Sequence, residues 1–400
     1  MIKLLIISAR FWPEGSGGAL ATYLITKLLA LVPDLDITLI TSIRPTEINK
    51  ISNVKWFVDS ELKQSKISAW MHMLHPQTQK WYRKLIRAAD IVYIVYAYPL
   101  IPLAKELGKR VIVHLHDYQP VVYNSTILYG QKANFIQDVA NASTYEVLEH
   151  GSLTRAIAGS MLALPLAHLA RIWTSKADVV VTISHRMAET ISHLAPELKS
   201  KLTVIYNPLP EAPEPEEKFD APTFIYVGGD SYVKGFHILL EASYKLLSKD
   251  IDLRFIFAGE FRDVSRAIIE KLNKKFGRVY NLLGYLEHGE ILKLCSKSHA
   301  LLFPSICEEP LPYAVIEAML SGTIPIASRV GGVPEIVGET LAKKFVFEPN
   351  NADELAEKIM SLMAMSKEEI KDIGLSLRDA ILKKSNSEVI RKDLLKVLLP

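Results

Sequence analysis

Short apolar runs alternate with helical periodicity along the first half of the chain. Runs at 2–8 (IKLLIIS), 36–41, 91–95, 110–115, 178–183 and 202–206 are rich in Val, Ile and Leu and lack clean polar alternation. Such continuous runs predict strands buried on both faces of a parallel sheet. Helical periodicity falls between several of them, for instance over Ala19–Leu31, which stops before Pro33. The stretch Asn207–Pro222 (NPLPEAPEPEEKFDAP) breaks the rhythm: its five prolines and five acids continue neither a helix nor a central strand. Alternation then resumes, with strand-like runs near 223–228, 253–258, 279–283, 300–303 and 324–327. The prediction is an α/β protein of two Rossmann-like domains, with parallel sheets facing across a cleft. Residues 1–207 form the first, 208–222 the linker and 223–384 the second, and a C-terminal helix at about 385–400 packs back onto the first. Ligands of such sheets bind beyond the carboxyl ends of the strands, so the loops that follow strands are where chemistry is expected.

Composition sharpens this without changing it. A chain of 400 residues exceeds one ordinary hydrophobic core, and 49% apolar with 23% charged residues is typical of a globular protein. Two cysteines, Cys295 and Cys307, are too few for a disulfide framework and suit a reducing compartment. Met1-Ile2-Lys3 runs straight into an apolar strand with no cleavage-type ending, so no signal peptide and a cytoplasmic location are expected. The net charge of +3 divides into +6 over residues 1–200 and −3 over 201–400. A basic first half raises either an anionic partner, such as lipid phosphate or the cytoplasmic membrane face, or drift in surface charge. No basic tail or aromatic-basic module points to nucleic acid.

Two segments keep two readings. Residues 156–170 (AIAGSMLALPLAHLA) are apolar between Arg155 and Arg171, too short to span a bilayer, and fit a packed helix or hairpin or a membrane-dipping element. Trp70–Lys84 mixes aromatic and basic residues, as an interfacial segment or a surface loop and helix does.

The segment richest in chemistry is Pro304–Met319 (PSICEEPLPYAVIEAM), read as strand, loop and a helix starting at Pro312, whose fixed φ suits the first helical position. With Leu311 where a capping side chain belongs, the amides of Leu311, Tyr313 and Ala314 are left open, an anion site suited to a diphosphate. Glu309 in the loop and Glu317 inside the helix suit sugar and ribose hydroxyls, although Glu317 alone also reads as an ordinary acid near a helix start. His114 and His116 end a strand and share a face; an H-x-H there binds a metal in other proteins, but no second ligand cluster follows. The other reading of the pair is a buried histidine at His114. Asp34-Leu35-Asp36 has the D-x-D form but sits at the entrance of the second strand, away from any carboxyl end, and is incidental.

Glu309 and Glu317, with the surrounding P-S-x-x-E-E-P-L-P-Y-x-x-x-E-A-M and the later Val330-Gly331-Gly332-Val333-Pro334-Glu335, resemble the signature of family 4 glycosyltransferases. Phe11–Ala19 is similar to that family's N-terminal glycine loop, including Gly17 and Gly18, and Phe224–Lys234 to its phosphate-binding loop. The resemblance implies the GT-B fold and a retaining, metal-independent transfer from a nucleotide-diphosphate sugar, UDP- or GDP-linked, to an acceptor hydroxyl. No cofactor is implied beyond the donor as co-substrate. It assigns Glu317 to the ribose, Glu309 to the moving sugar, Lys234 to the diphosphate and His116 to the sugar, with Gly229 and the Gly284-Tyr285 loop also at the donor. The family's usual arginine after the strand glycine is replaced by Gly229. The acceptor implied is a sugar, a polysaccharide or a lipid-linked sugar. A sugar-nucleotide epimerase or hydrolase, and a non-catalytic two-lobed binding protein, are the competing readings.

Overall fold

A computed structural model describes residues 1–14, 17–130 and 135–399, with the side chains at 135–138 and 163–164 left aside. Seven strands form the first sheet: β1 (Ile2–Ser8), β2 (Leu35–Thr41), β3 (Val54–Val58), β4 (Ile91–Val95), β5 (Arg110–His114), β6 (Val179–Thr182) and β7 (Leu202–Val204). Six form the second: β8 (Thr223–Val227), β9 (Arg254–Ala258), β10 (Tyr280–Gly284), β11 (Ala300–Phe303), β12 (Ile324–Ser328) and β13 (Val346–Phe347). Their orders are β3-β2-β1-β4-β5-β6-β7 and β10-β9-β8-β11-β12-β13, with parallel pairing throughout. In each sheet the order reverses beside the first strand, between β1 and β4 and between β8 and β11. Those are the switch points where a doubly wound sheet opens a crevice.

Alternate residues of β1 serve opposite faces: Leu5 and Ile7 join one buried cluster, Leu4 and Ile6 the other. The second face is closed by the C-terminal helix Ser387–Leu398, whose Ile390, Leu394, Val397 and Leu398 pack among Leu4, Ile6 and Ile25. Burial of each such side chain stabilises by roughly 1.5–3 kcal/mol, so this helix holds the first sheet rather than the second. Residues 205–222 join the sheets without helix or strand. Within them Lys218 is buried and donates to the carbonyls of Ser296 and Gly322 at 2.8 and 3.0 Å, pinning the connection to the second sheet.

Strands β3 and β13 were not expected. β3 is an edge strand whose alternating exposure carries Lys55, paired with Asp36 at 2.9 Å, so it lacks the apolar run that marks its neighbours. That ion pair also uses Asp36 of the D-x-D triplet on the surface at the start of β2. Trp70–Lys84 is not a surface loop followed by a helix. The segment lies in two helices, Lys66–Leu74 and Pro76–Ala88, and Trp70, Met73 and Tyr82 are buried in the core. Residues 156–170 fall within the long helix Leu153–Ser175, which packs against Phe135–His150 as a hairpin. Among the described residues no single helix is long and apolar enough to cross a membrane; Leu153–Leu162 and Pro165–Ser175, bent by 45°, meet that test only as a pair.

Candidate active site

The helix Tyr313–Leu320 follows β11, and its first turn has no side-chain cap. One detail differs from expectation: Pro312 is the capping residue, not the first helical one, with extended backbone (φ −73°, ψ 113°). Proline carries no N–H, so the open donors are concentrated on Tyr313 and Ala314 inside the helix and Leu311 ahead of it. Pro312 nevertheless accepts from Val315 N at 3.2 Å, which fixes the turn. The Tyr313 hydroxyl donates to the carbonyl of Pro208 at 2.8 Å, so the connecting segment braces the helix start.

Both glutamates are anchored through one oxygen. Oε1 of Glu309 accepts from Lys234 Nζ, from Ser305 Oγ at 3.4 Å and from Cys307 Sγ at 3.4 Å. Oε1 of Glu317 pairs with His288 Nε2 at 2.7 Å. In each, Oε2 has no hydrogen bond among the described residues and is left for a ligand hydroxyl. Burial pulls the Lys234 ammonium down, but Glu309 outweighs it and holds the group well above the ordinary lysine value. Lys234 is therefore a fixed positive charge. The Glu317 hydrogen bond likewise raises the His288 imidazole against the effect of burial. His288 in turn meets Trp12 of the first half edge-on, with ring centroids 5.0 Å apart.

From the first sheet comes His116, two residues beyond β5. It is 7% exposed, and neither ring nitrogen has a partner among the described residues. Burial lowers its pKa to about 3, so the ring is neutral at working pH and acts as a hydrogen-bonding group, not as an acid. His114 is buried, bonded to the Tyr93 hydroxyl, and stacked on His116 with centroids 4.5 Å apart. Among the described residues no group of three or more His, Cys, Asp or Glu is arranged to hold a metal. The glycine loop packs on this histidine directly: a Cβ on Gly18 would lie 2.2 Å from the Tyr96 hydroxyl and 2.9 Å from His116 Cβ. Gly15 and Ser16 of that loop lie outside the described residues.

Gly17, Gly18, His116, Lys234, Glu309, Leu311, Tyr313, Ala314 and Glu317 all line one cavity of about 450 Å³ between the sheets. Gly229 and Tyr285 do not. They line an adjoining pocket of about 390 Å³ with Ser231 and Arg262, which shares Val227 and Ile291 with the first. The substitution of the family arginine has a backbone cause. Gly229 has φ +59°, and a Cβ there would fall 2.3 Å from the carbonyl oxygen of Glu260. No side chain fits that position. Arg262, nearby, is engaged with Asp230 at 2.9 Å. A third cavity of about 470 Å³ shares His116, Lys234, Glu309 and Pro310 with the first and extends along the first domain past Arg10, Lys66 and Asp117.

The walls of the cleft are also joined directly, at the edge of the cavities and beyond them. Leu128 bridges Cys307 antiparallel, with Glu308 N donating to Ile127 O at 2.7 Å and Tyr129 N to Ile306 O at 2.8 Å. Glu335 accepts from the amides of His185 and Arg186, at 2.9 and 2.6 Å, and from the Tyr206 hydroxyl at 2.9 Å. Thus the Val330–Glu335 motif reaches the first domain through its last residue. Sequence reasoning missed His288 and Lys66, which lie apart from the motifs, and Arg10, which directly precedes the Phe11–Ala19 loop but is outside its pattern. Trp12 lies inside the Phe11–Ala19 loop, but the resemblance gave it no role, and Asp117 directly follows His116.

Residues 210–374 match the family described as Glycosyl transferases group 1. The chain is 25% identical over 255 residues to a human phosphatidylinositol N-acetylglucosaminyltransferase subunit, covering 62% of this chain and 49% of that protein. It is 27% identical over 231 residues to a glycogen synthase of Mycobacterium tuberculosis, covering 56% and 54%. The chain thus spans about half the length of these curated relatives. Among solved structures, Anabaena HepE in complex with UDP and glucose superposes with TM-score 0.68 at 15% identity, over 100% of this chain and 99% of that one. Sucrose-phosphate synthase from Thermosynechococcus elongatus gives 0.69 at 16% identity, over 99% and 98%. The fold is GT-B. A glycosyltransferase enzyme is what the matched family and the named relatives support, and they do not favour the epimerase or hydrolase alternative.

Proposed function

We propose, with the match of residues 210–374 as premise, that this chain is a retaining glycosyltransferase moving a sugar from a nucleotide-diphosphate donor, UDP- or GDP-linked, to an acceptor hydroxyl. The observation that carries the reading is the convergence of Lys234, the open helix start at Tyr313, two singly anchored glutamates and neutral His116 on one cavity. The diphosphate lies against the amides of Tyr313 and Ala314 with Lys234 beside it. Oε2 of Glu317 takes the ribose hydroxyls, Oε2 of Glu309 those of the transferred sugar, and His116 a further sugar hydroxyl. The base lies toward the pocket of Gly229 and Tyr285. As the bond from the anomeric carbon to the phosphate oxygen breaks, that oxygen takes the proton of the acceptor hydroxyl. The acceptor oxygen then bonds the same face of the sugar. Positioning and neutralisation of the leaving diphosphate carry the catalysis. The reaction needs no metal.

The donor half is assigned to 223–384 and the acceptor half to 1–207. A lipid-linked or polysaccharide acceptor, and a peripheral contact with the cytoplasmic membrane face, complete the reading. The hairpin helix supports that contact: Leu153, Ile157 and Met161, spaced four apart, are 72%, 64% and 75% exposed. The test is a thermal-shift screen of UDP- and GDP-sugars on the wild type and Glu317→Ala, followed by incubation with the binding donor alone. A raised midpoint lost in the variant, with slow donor consumption, is the expected result. Epimer formation or rapid stoichiometric hydrolysis without acceptor would replace transfer as the reading.

A further inference from the structure

The 470 Å³ cavity on the first-domain side has an unbalanced wall. Arg10, just beyond β1, and Lys66, at the start of the helix Lys66–Leu74, both line it. The Arg10 guanidinium has no hydrogen bond or ion pair among the described residues. Lys66 is held by the carbonyl of Tyr123 and by Ser125 Oγ at 3.3 Å, neutral groups that leave its charge unmatched. Asp117 is the carboxylate facing the pair, and it accepts from Gln119 N at 2.8 Å. Of the other carboxylates lining the cavity, Glu309 pairs with Lys234 and Glu308 with Arg186 at 3.3 Å, whereas Glu149 accepts from Val233 N at 3.2 Å and has no ion pair among the described residues.

Two buried polar groups on the same cavity also lack partners among the described residues, both ring nitrogens of His116 and Oδ1 of Asn124. Leu62, Ala69, Trp70 and Met73 also line it and are mostly apolar, with the Trp70 indole N–H the one polar group among these four side chains apart from the Met73 thioether. Two cations on one wall repel each other unless an anion lies between them. Burial chiefly brings the Lys66 ammonium down to about 8; Asp117 and Glu146 oppose the fall and Arg10 adds to it. A planar guanidinium fork beside an ammonium matches a group with several equivalent oxygens.

We infer that this cavity is an acceptor subsite for a phosphate-bearing polyol, with Arg10 and Lys66 on the phosphate and Asp117 on its hydroxyls. Its role as an acceptor site rests on the transferase reading, but the subsite itself is a binding property measurable without donor. The accepting hydroxyl then reaches His116 and Glu309, which line both this cavity and the donor cavity.

The full chain, in a phosphate-free buffer with and without UDP, is titrated calorimetrically with three matched pairs: glycerol and glycerol 3-phosphate, myo-inositol and its 1-phosphate, glucose and glucose 6-phosphate. Glucuronate serves as the carboxylate comparator. Sedimentation with phosphatidylcholine vesicles, with and without phosphatidylinositol, separates a lipid headgroup from a free phosphate ester. The expected result is binding of at least one phosphorylated member, or of the phosphatidylinositol vesicles alone. Arg10→Gln and Lys66→Met each weaken it at least about tenfold, while Lys274→Gln, on the far side of the second sheet, leaves it unchanged. Arg10 is exposed, so its variant remains informative even if Lys66→Met disturbs the 123–125 loop. Equal binding of the neutral partners, equal binding of glucuronate, binding insensitive to Arg10→Gln, or no binding in either arm overturns the inference. Nucleotide binding lost in Glu317→Ala is read separately, so failure of this subsite and failure of the donor reading are distinguishable.

Discussion

The two walls of the cleft are built from the same kind of sheet but prepare their polar groups in opposite ways. On the second-domain wall the charged groups are matched internally: Lys234 with Glu309, His288 with Glu317, Arg262 with Asp230. On the first-domain wall, among the described residues, His116 has two unpartnered nitrogens, Asn124 an unpartnered oxygen and Arg10 no ion pair. Matched pairs hold side chains in one geometry before a ligand arrives, which is what stabilising a departing diphosphate demands. Unmatched buried groups such as His116 and Oδ1 of Asn124 cost free energy in the empty protein and recover it when a ligand supplies the missing partners, whereas the exposed Arg10 is solvated. The donor side therefore reads as preorganised and the acceptor side as incomplete without its substrate.

The sharpest way to break this contrast is to unmatch the donor wall. Lys234→Ala removes the charge proposed to face the diphosphate and strands Glu309 without its strongest partner. Turnover with the preferred nucleotide sugar is expected to fall about 10²- to 10³-fold, measured as kcat at saturating donor. A near-normal kcat would show that another cation, such as Arg10 or Arg262, neutralises the leaving group. Gly229→Arg restores the residue that the family pattern expects, and it is expected to do harm. A side chain at φ +59°, aimed at the Glu260 carbonyl, costs on the order of 2 kcal/mol or more and lowers the unfolding midpoint without improving donor affinity. Improved affinity at unchanged stability would mean that the 228–230 loop adapts.

The contrast also explains what the sequence made legible. Three donor-wall groups, Lys234, Glu309 and Glu317, lie within two continuous stretches, 224–235 and 304–319, so spacing and resemblance alone grouped them, whereas His288 and Arg262 lie outside both and were not found. The parallel strands were legible for the same local reason, since most of them are short runs dominated by apolar residues. Arg10, Lys66 and Asn124 belong to three separate parts of the chain and meet only through the sheet order, so no spacing announces them. β3 was hidden because an edge strand carrying Lys55 has no apolar run. The cause of Gly229 was equally hidden, because the obstructing carbonyl belongs to Glu260, thirty-one residues away in the chain.

Glu317→Ala asks whether the matched carboxylate is a ligand group or only a structural one. Loss of hydrogen bonds to a charged acceptor is worth about 1.5–3 kcal/mol, so donor Kd is expected to rise about 10- to 100-fold. An unchanged Kd with a lowered unfolding midpoint would confine Glu317 to the ordinary helix-acid role.

The smallest effect belongs to His288, which fixes Oε1 of Glu317 and leaves Oε2 open for the proposed ribose contact. His288→Gln is expected to raise donor Kd a few-fold while kcat changes less, because the substitution loosens the carboxylate without removing it. Its stability signature has a definite sign. The imidazole pKa is raised in the folded protein by the Glu317 hydrogen bond, against burial. The charged pair therefore contributes fully below the ordinary imidazole value of about 6.5, and its contribution is lost as pH rises through the raised folded value. The unfolding midpoints of wild type and variant should differ most at mildly acidic pH and converge toward alkaline pH, by an amount worth about 1 kcal/mol or less. A difference that grows with pH would mean that His288 is held neutral, and that Trp12, packed on its edge, rather than Glu317 sets its state.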